Sequence, residues 1–255
     1  MDAKAHGRHD ISDKLWRKME WLLSGGSGKV GRHGRDNCQF INAVFWILRT
    51  GAPWKDLPPD FGDWKNTHCR LSRWRDRGVW ESLIDKLCGE PDMQWEMVDS
   101  PHVKVHQHGT GARGSSQAMA RNKRGLNTKL HVVVDKAGHP LRVIATEGTE
   151  SDCKRALELV SSVDTKFVLA DKAYDSDEII FSLSSRGIVP IIPPRVNRNF
   201  QRLYDKNIYK KRHVINIENT FLRVKEWRSL STRYFKNISS FVSAFHIRSI
   251  SLFAG

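Results

Sequence analysis

The chain has 255 residues and a net charge of +14, because 42 Lys and Arg residues outnumber 28 Asp and Glu residues. Its length can bury a core in one large domain or in a small and a medium one, and its charge indicates nucleic acid as the leading partner. The four cysteines are too widely spaced for a zinc or redox motif, and no apolar run could span a bilayer. We therefore expect a cytoplasmic protein without a membrane segment.

Residues 1–90 are predicted to form a small all-helical module. Asp10 or Ser12 can cap a first helix, a second spans about 37–50 and stops at Gly51, and two more follow at about 67–77 and 79–88. The third helix carries Arg70 and Arg73, and we expect it to contact DNA in the manner of a recognition helix. A basic face that only meets solvent is the alternative interpretation.

From residue 91 the pattern changes to strands that later alternate with helices. Apolar or alternating runs predict strands near 93–98, 103–106, 128–135, 141–145, 166–170 and 189–192. Helical patterns at about 151–161 and 176–185 lie between the later strands. This order predicts a second domain over 91–255, of the α/β class.

A segment rich in Gly, Ser and Ala at 108–120 interrupts these strands. Arg121, Lys123 and Arg124 follow it directly, and residues 100–134 contain no Asp or Glu. Its local positive charge suits contact with phosphate groups. A mobile surface loop is an equally simple interpretation.

Two aspartates each follow an apolar strand: Asp99 after Met-Val, and Asp171 after Val-Leu-Ala. In α/β folds the carboxyl ends of strands border the crevice where ligands bind, so these two side chains could meet there. A single acid at such a place is more often a turn or cap residue, but two together favour a site. Lys172, beside Asp171, could touch DNA or could be a solvated charge.

A third acid lies in the stretch from Tyr209 to Trp227, which has the apolar spacing of an amphipathic helix. Glu218 and Lys225 are seven residues apart and therefore share a helix face. By itself this stretch could be a surface helix with scattered charges. The two aspartates make a shared site the better interpretation.

Three carboxylates are the hard oxygen ligands that Mg²⁺ prefers, and two such ions can drive in-line attack on a phosphodiester. Asp99, Asp171 and Glu218 are therefore the predicted metal ligands and catalytic residues of a DNA-cutting enzyme. His102, His106 and His108 could be considered a zinc cluster, but no cysteine lies near them in sequence. Surface or phosphate-contacting histidines are the preferred interpretation.

Several motifs occur in an order that resembles the DDE transposases of the bacterial insertion-sequence four and five families. They include Asp-Ser-Pro-His-Val-Lys-Val-His at 99–106, Val-Leu-Ala-Asp-Lys-Ala-Tyr-Asp-Ser at 168–176 and Ile-Glu-Asn-Thr-Phe-Leu-Arg-Val-Lys-Glu-Trp-Arg at 217–228. Arg-Thr-Gly-Ala-Pro-Trp-Lys-Asp-Leu-Pro-Pro at 49–59 resembles the helical module of the same families. The resemblance covers nearly the whole chain.

The resemblance implies a ribonuclease H-like catalytic domain that uses Mg²⁺, or Mn²⁺ in its place, to cut the ends of a mobile element. The freed 3′ ends would then be joined to target DNA. Carried over residue by residue, the triad becomes Asp99, Asp171 and Glu218. The expected partners are double-stranded DNA, both element ends and target, and further copies of the chain in a homodimer or larger assembly on the bacterial nucleoid.

One departure from the family concerns its pattern of Tyr, two residues, Arg, three residues, Glu, six residues, Lys. Glu218 and Lys225 match it, whereas Tyr209 and Arg212, which would contact DNA, lie two residues too far upstream. A helix that begins at Asn216, a good N-cap residue, would leave Tyr209 and Arg212 in a preceding loop. The competing hypotheses are a catalytically inactive, DNA-binding relic of a transposase and a host nuclease of the same fold.

Overall fold

The computed structural model describes residues 7–23, 36–87, 95–112, 117–123, 125–161, 165–215 and 217–253. These residues form ten α-helices and eight β-strands. The helices are α1 (Asp13–Met19), α2 (Asn37–Thr50), α3 (Trp64–Asp76), α4 (Val79–Leu87), α5 (Asp152–Val160), α6 (Asp177–Ser185), α7 (Lys206–Ile215), α8 (Ile217–Lys225), α9 (Arg228–Ser231) and α10 (Ile238–Leu252). The strands are β1 (Trp95–Asp99), β2 (His102–Val105), β3 (Ala120–Asn122), β4 (Gly125–Asp135), β5 (Pro140–Glu147), β6 (Phe167–Leu169), β7 (Val189–Ile191) and β8 (Thr232–Arg233).

The chain divides into two compact units. The first comprises Met1–Gly89, Val224–Thr232 and Ser239–Gly255, and the second comprises Glu90–Arg223 and Arg233–Ile238. The C-terminal helix α10 thus belongs to the same unit as the N-terminal helices. The division into domains 1–90 and 91–255 stays a prediction. Among the described residues, no helix is both long and apolar enough to cross a membrane.

In the first unit, local signals set the ends of the helices. The Ser12 side chain accepts a hydrogen bond from the Leu15 N–H and caps α1, and Asp36 accepts from the N–H groups of Cys38 and Gln39 at the start of α2. Helix α2 ends at Gly51, whose φ of 68° is left-handed and disfavours any residue with a Cβ. These caps explain why the sequence predicted α2 correctly.

Aromatic side chains form much of the core of this helical unit. The Phe40 ring meets the Trp74 ring edge-on at 4.9 Å and stacks near the Trp80 ring at 6.5 Å, which joins α2 to α3 and α4. Phe45, on the same helix, meets Trp227 edge-on at 5.1 Å. Aromatic pairs in this geometry stabilise a core beyond the area that they bury, so α2 is the central helix of the unit.

The second unit is organised around a mixed β-sheet. Strand β1 pairs in parallel with β6, which pairs in parallel with β7, while β4 runs antiparallel to both β1 and β5. The strand order is therefore β7-β6-β1-β4-β5, with β2 and β3 pairing with the first part of β4. The parallel strands end together at one edge of the sheet.

Helices α5 and α6 cover one face of this sheet. Val98 and Val168 project from β1 and β6 into a buried cluster with Leu159 of α5 and Leu183 of α6, and each of the four is at most 1% exposed. Because side chains alternate along a strand, the neighbouring residues Met97 and Leu169 face away from this cluster. The alternation also decides which way the residues at the strand ends project.

Candidate active site

Asp99 and Asp171 lie level with each other at the carboxyl ends of β1 and β6. Met97 is opposite Leu169 in the parallel register, so Asp99, the last residue of β1, and Asp171, two residues after the end of β6, are equally far along the chain from this pair. Neighbouring strands are about 4.8 Å apart, and the equal spacing puts both carboxylates on the face opposite to α5 and α6. The structure thus brings together the two acids that the sequence singled out.

Each of these aspartates accepts a hydrogen bond from the main-chain N–H group of a residue that follows it. One Asp99 oxygen accepts the Ser100 N–H at 2.8 Å, and one Asp171 oxygen accepts the Ala173 N–H at 2.8 Å. The second contact caps the 3₁₀ turn Lys172–Tyr174 and fixes the orientation of Asp171. Both residues are only partly buried, so their carboxylates remain accessible to a ligand.

A buried hydrogen-bond network lies directly behind the aspartates. The Ser100 hydroxyl contacts His131 Nδ1 at 2.8 Å and makes a short hydrogen bond with the Tyr174 hydroxyl. His131 Nε2 contacts the Thr146 hydroxyl at 2.9 Å. Because Ser100 follows Asp99 and Tyr174 ends the turn that Asp171 caps, this network ties the two strand ends together.

The electrostatics of this network favour neutral side chains. His131 is fully buried, and burial, the largest effect, lowers its pKa from 6.5 to about 4 despite Asp152 3.8 Å from its Nδ1. Asp152 itself forms an ion pair with Lys129 at 2.8 Å. Burial also raises the pKa of the Tyr174 hydroxyl. At neutral pH the imidazole and the phenol therefore act as uncharged hydrogen-bonding groups.

Sequence reasoning missed His131 and Asp152 and gave Ser100 no role. The available signal was a histidine inside the apolar run Leu-His-Val-Val-Val, because a polar residue on a buried strand requires hydrogen-bond partners. Its partners come from three separate segments of the chain. Only the tertiary structure identifies them.

Glu218 is placed differently from the two aspartates. It lies exposed in the first turn of α8. Two residues later the Thr220 hydroxyl donates to the Gly138 carbonyl in the turn between β4 and β5. This turn follows Asp135, which is opposite Glu96 near the beginning of β1, so α8 touches the sheet away from the end that carries Asp99. Within the described ranges, no three His, Cys, Asp or Glu side chains are grouped to hold a metal.

The prediction for the residues before Glu218 was partly wrong. Helix α8 is described from Ile217 and holds Glu218 in its first turn, but Tyr209 and Arg212 lie in α7 and not in a loop. Asp205 explains this, because its side chain accepts hydrogen bonds from the N–H groups of Asn207 and Ile208 and so caps the start of α7. The Tyr209 ring meets the Tyr204 ring edge-on at 5.6 Å. The Arg212 side chain and Asn216 lie outside the described part of the chain.

The other residues expected to bind DNA are in different environments. Arg121, Lys123, Lys172 and Arg73 are exposed, Lys225 is half-buried at the end of α8, and Arg124 lies outside the described residues. The Arg70 guanidinium packs over the rings of Phe40 and Trp74, at 4.2 and 4.9 Å, and bonds to the Asn37 side chain. Arg70 therefore has a structural role in the helical unit, and its contact with DNA stays a prediction.

The three neighbouring histidines do not form a zinc cluster. His102 Nδ1 contacts the Asn127 side chain at 2.9 Å, whereas the His106 ring stacks on Tyr234 at 4.4 Å. Tyr234 follows Arg233, which is buried and donates to the carbonyls of Gln117 and Phe235. Burial lowers the pKa of Arg233 to about 10, still well above neutrality. This arginine anchors the backbone beside the predicted basic loop.

The strand order with an antiparallel β4, the helices on one face and the paired aspartates define a ribonuclease H-like domain. This confirms the predicted fold class. A family model described as "Transposase DDE domain" matches residues 97–253, and one described as "Putative transposase of IS4/5 family" matches residues 11–84. The chain therefore belongs to the DDE transposase family, as the sequence motifs indicated, and this family implies the use of a divalent metal ion.

Several known proteins are similar to parts of this chain. The chain is 35% identical over 124 residues to "Putative transposase for insertion sequence element IS6501" of Brucella ovis, covering 48% of this chain and 94% of the relative. It is 36% identical over 104 residues to the y4sN protein of Sinorhizobium fredii, covering 40% and 82%. Among solved structures, the piggyBac transposase synaptic complex with hairpin DNA aligns with a TM-score of 0.40 and 14% identity, over 72% of this chain and 48% of that chain.

Proposed function

We propose that this protein is a DNA transposase that cuts the ends of an insertion sequence and joins the 3′ ends to target DNA. The observation that carries the proposal is the pair Asp99 and Asp171, level at the carboxyl ends of two parallel strands, in a chain that belongs to the DDE transposase family. The net charge of +14 supports double-stranded DNA as substrate, because phosphate contacts supply most of the affinity in such complexes.

Asp99 and Asp171 would hold the divalent ion that the family implies. They fit this role because both are accessible carboxylates on one face of the sheet, and carboxylate oxygens are the preferred ligands of Mg²⁺. When bound, two Mg²⁺ or Mn²⁺ ions would lower the pKa of an attacking hydroxyl and stabilise the leaving oxygen. The protein would hold the carboxylates in place through the Ser100 and Ala173 N–H groups.

Several side chains would position DNA around this pair. Lys172 follows Asp171 directly and is exposed, so its ammonium group would contact a phosphate beside the scissile bond. Arg121 and Lys123 would contact phosphates further along the duplex. Lys225 at the end of α8 would also contact DNA, as would Tyr209 and Arg212 on α7.

Glu218 is proposed as the third acid of the triad. Since α8 touches the β4–β5 turn through Thr220, the Glu218 carboxylate would join the aspartates through a rearrangement of α8 when DNA binds. This rearrangement would accompany assembly of the protein into a homodimer or larger complex on the DNA. Glu218→Gln should then abolish strand cleavage and leave DNA binding intact.

The test is a cleavage assay with DNA that bears the ends of the element. We expect cleavage with Mg²⁺ or Mn²⁺, none with EDTA, and its loss in Asp171→Asn. Asp85→Asn is the matched control, because Asp85 is exposed on α4 and belongs to the other compact unit of the chain. Cleavage that persists in Asp171→Asn would refute the proposed site.

A second candidate function is that of an inactive relic that binds DNA without cutting it. The position of Glu218, and the lack of a three-carboxylate group within the described residues, favour this alternative. It predicts salt-sensitive DNA binding and no cleavage with either metal ion. Inverted repeats and a short target duplication beside the gene would identify a mobile element, and the cleavage assay would then decide whether the enzyme is active.

A further inference from the structure

The helical unit contains a cationic cavity that the proposed active site does not include. Its volume is about 640 Å³, within the range of ordinary ligand pockets. All of its lining residues belong to the first compact unit. They are Arg8, His9, Arg49, Thr50, Glu226, Trp227, Arg228 and Arg248.

The charge of this cavity is strongly unbalanced. Four arginines line it, whereas two acids act on it: Glu226 in the lining, and Asp10, which with Glu226 interacts electrostatically with Arg49. Glu226 forms an ion pair with Arg248 at 2.8 Å, so its carboxylate mainly offsets the charge of that one arginine. The cavity therefore carries a positive excess even before DNA or any other anion approaches.

Two of the arginines lie against one aromatic ring. The guanidinium groups of Arg49 and Arg248 lie 5.2 and 5.0 Å from the centre of the Trp227 ring, and Arg49 also lies 5.4 Å from Phe45. Cation–π contacts of this kind orient a guanidinium group without neutralising it. The indole thus fixes the positions of two positive charges at the cavity wall.

Arg49 also has an incompletely bonded guanidinium group. Its Nη1 donates to the Arg8 carbonyl at 3.1 Å, but its Nε is buried and has no hydrogen-bond partner among the described residues. Burial lowers the pKa of Arg49, which shows that its charge is partly removed from water. A buried donor without an acceptor costs free energy that an anion in the cavity could recover.

We propose that this cavity binds phosphate groups of the DNA backbone and is a second DNA-contact site of the protein. Guanidinium groups match the oxygens of a phosphate in pairs, and a cavity of this volume admits a nucleotide-sized segment of backbone. The choice of DNA over another anion rests on the proposed transposase function. The site differs from α3, where Arg70 is already packed against aromatic rings.

The test uses the full-length double variant Arg8→Gln/Arg228→Gln. Both side chains are exposed, and the bond from Arg49 to residue 8 uses a main-chain carbonyl that the substitution keeps. Binding to a short fluorescein-labelled duplex is followed by anisotropy in EDTA over a series of salt concentrations. Losing two phosphate contacts should reduce the slope of log K against log salt by about 2.

The matched control is Arg17→Gln/Lys86→Gln, which removes the same charge from two exposed residues of the same unit that do not line the cavity. It should keep the wild-type slope. Equal slopes for the pocket variant and the wild type would overturn the proposal, provided that the wild type itself responds steeply to salt. A flat response of the wild type would instead contradict DNA binding, and with it the proposed function.

A free phosphate ion offers the same oxygen atoms to the arginines as a DNA phosphate does. Thermal unfolding with added inorganic phosphate tests whether the free ion binds in the cavity. One outcome is that phosphate stabilises the wild type but not the Arg8→Gln/Arg228→Gln variant, while the salt slope of DNA binding is the same in both. This outcome would assign the cavity to free phosphate and overturn the DNA proposal. A reduced DNA slope without such stabilisation supports a backbone contact.

Discussion

His131 should make the stability of the protein depend on pH in a defined window. Its pKa in the folded protein is about 4, lowered by burial from 6.5, the ordinary value that we expect in the unfolded chain. As the pH falls below 6.5, the unfolded chain therefore binds a proton at this residue that the folded protein does not. The free energy of unfolding must then decrease between pH 6.5 and 4 and be unaffected by His131 above this window.

The size of the effect follows from the two pKa values. Each unit of difference corresponds to about 1.4 kcal/mol, so the full window contributes on the order of 3 kcal/mol. Between pH 7.5 and pH 5 the loss attributable to His131 is about 2 kcal/mol. This is a large part of the stability of an ordinary domain, about 5–15 kcal/mol.

The assay compares the wild type with His131→Gln by urea denaturation at several pH values. Gln cannot titrate, so the variant should lose about 2 kcal/mol less than the wild type between pH 7.5 and 5. The comparison cancels the contributions of the other titrating groups. The variant will also be less stable at neutral pH, because its amide does not reproduce the contacts to Ser100 and Thr146. Equal pH dependence in the two proteins would refute the description of His131 as a buried neutral imidazole.

Substitutions at three further positions test other parts of the structure. Gly148→Ala should destabilise the protein by about 2 kcal/mol or more in urea denaturation, because the added Cβ would overlap the buried Asn127 side-chain oxygen, which contacts His102. Ser12→Ala removes the cap of α1 and should cost about 1 kcal/mol, whereas Ser12→Asp should not. Tyr174→Phe should lower the cleavage rate several-fold with little change in DNA affinity, since it loosens the network behind Asp171; unchanged single-turnover cleavage would contradict this positioning role.

The sequence was informative where neighbouring residues determine the structure. Helix α2 was predicted at 37–50 and is found at Asn37–Thr50, because Asp36 and Gly51 provide local start and stop signals. Asp99 and Asp171 were identified because each follows an apolar strand, and the parallel register then places them level. Features that join distant segments were not predictable in this way. The assignment of α10 to the helical unit and the contacts of His131 depend on packing between residues far apart in sequence.

The stretch around Glu218 has one feature that the local sequence predicted and one that it did not. The two-residue departure from the family spacing indicated a helix that begins at Asn216; α8 is described from Ile217, and Asn216 lies outside the described residues. The same local reasoning failed for Tyr209, because Asp205 starts a second helix that the apolar spacing does not reveal. The packing of Phe221 and Thr220, both buried on α8, sets the position of Glu218. Deleting the two residues 216 and 217 would restore the family spacing. If the departure impairs assembly of the triad, this deletion should increase metal-dependent cleavage, and a deletion variant that folds but cuts no faster would show that α8 is positioned independently of the spacing.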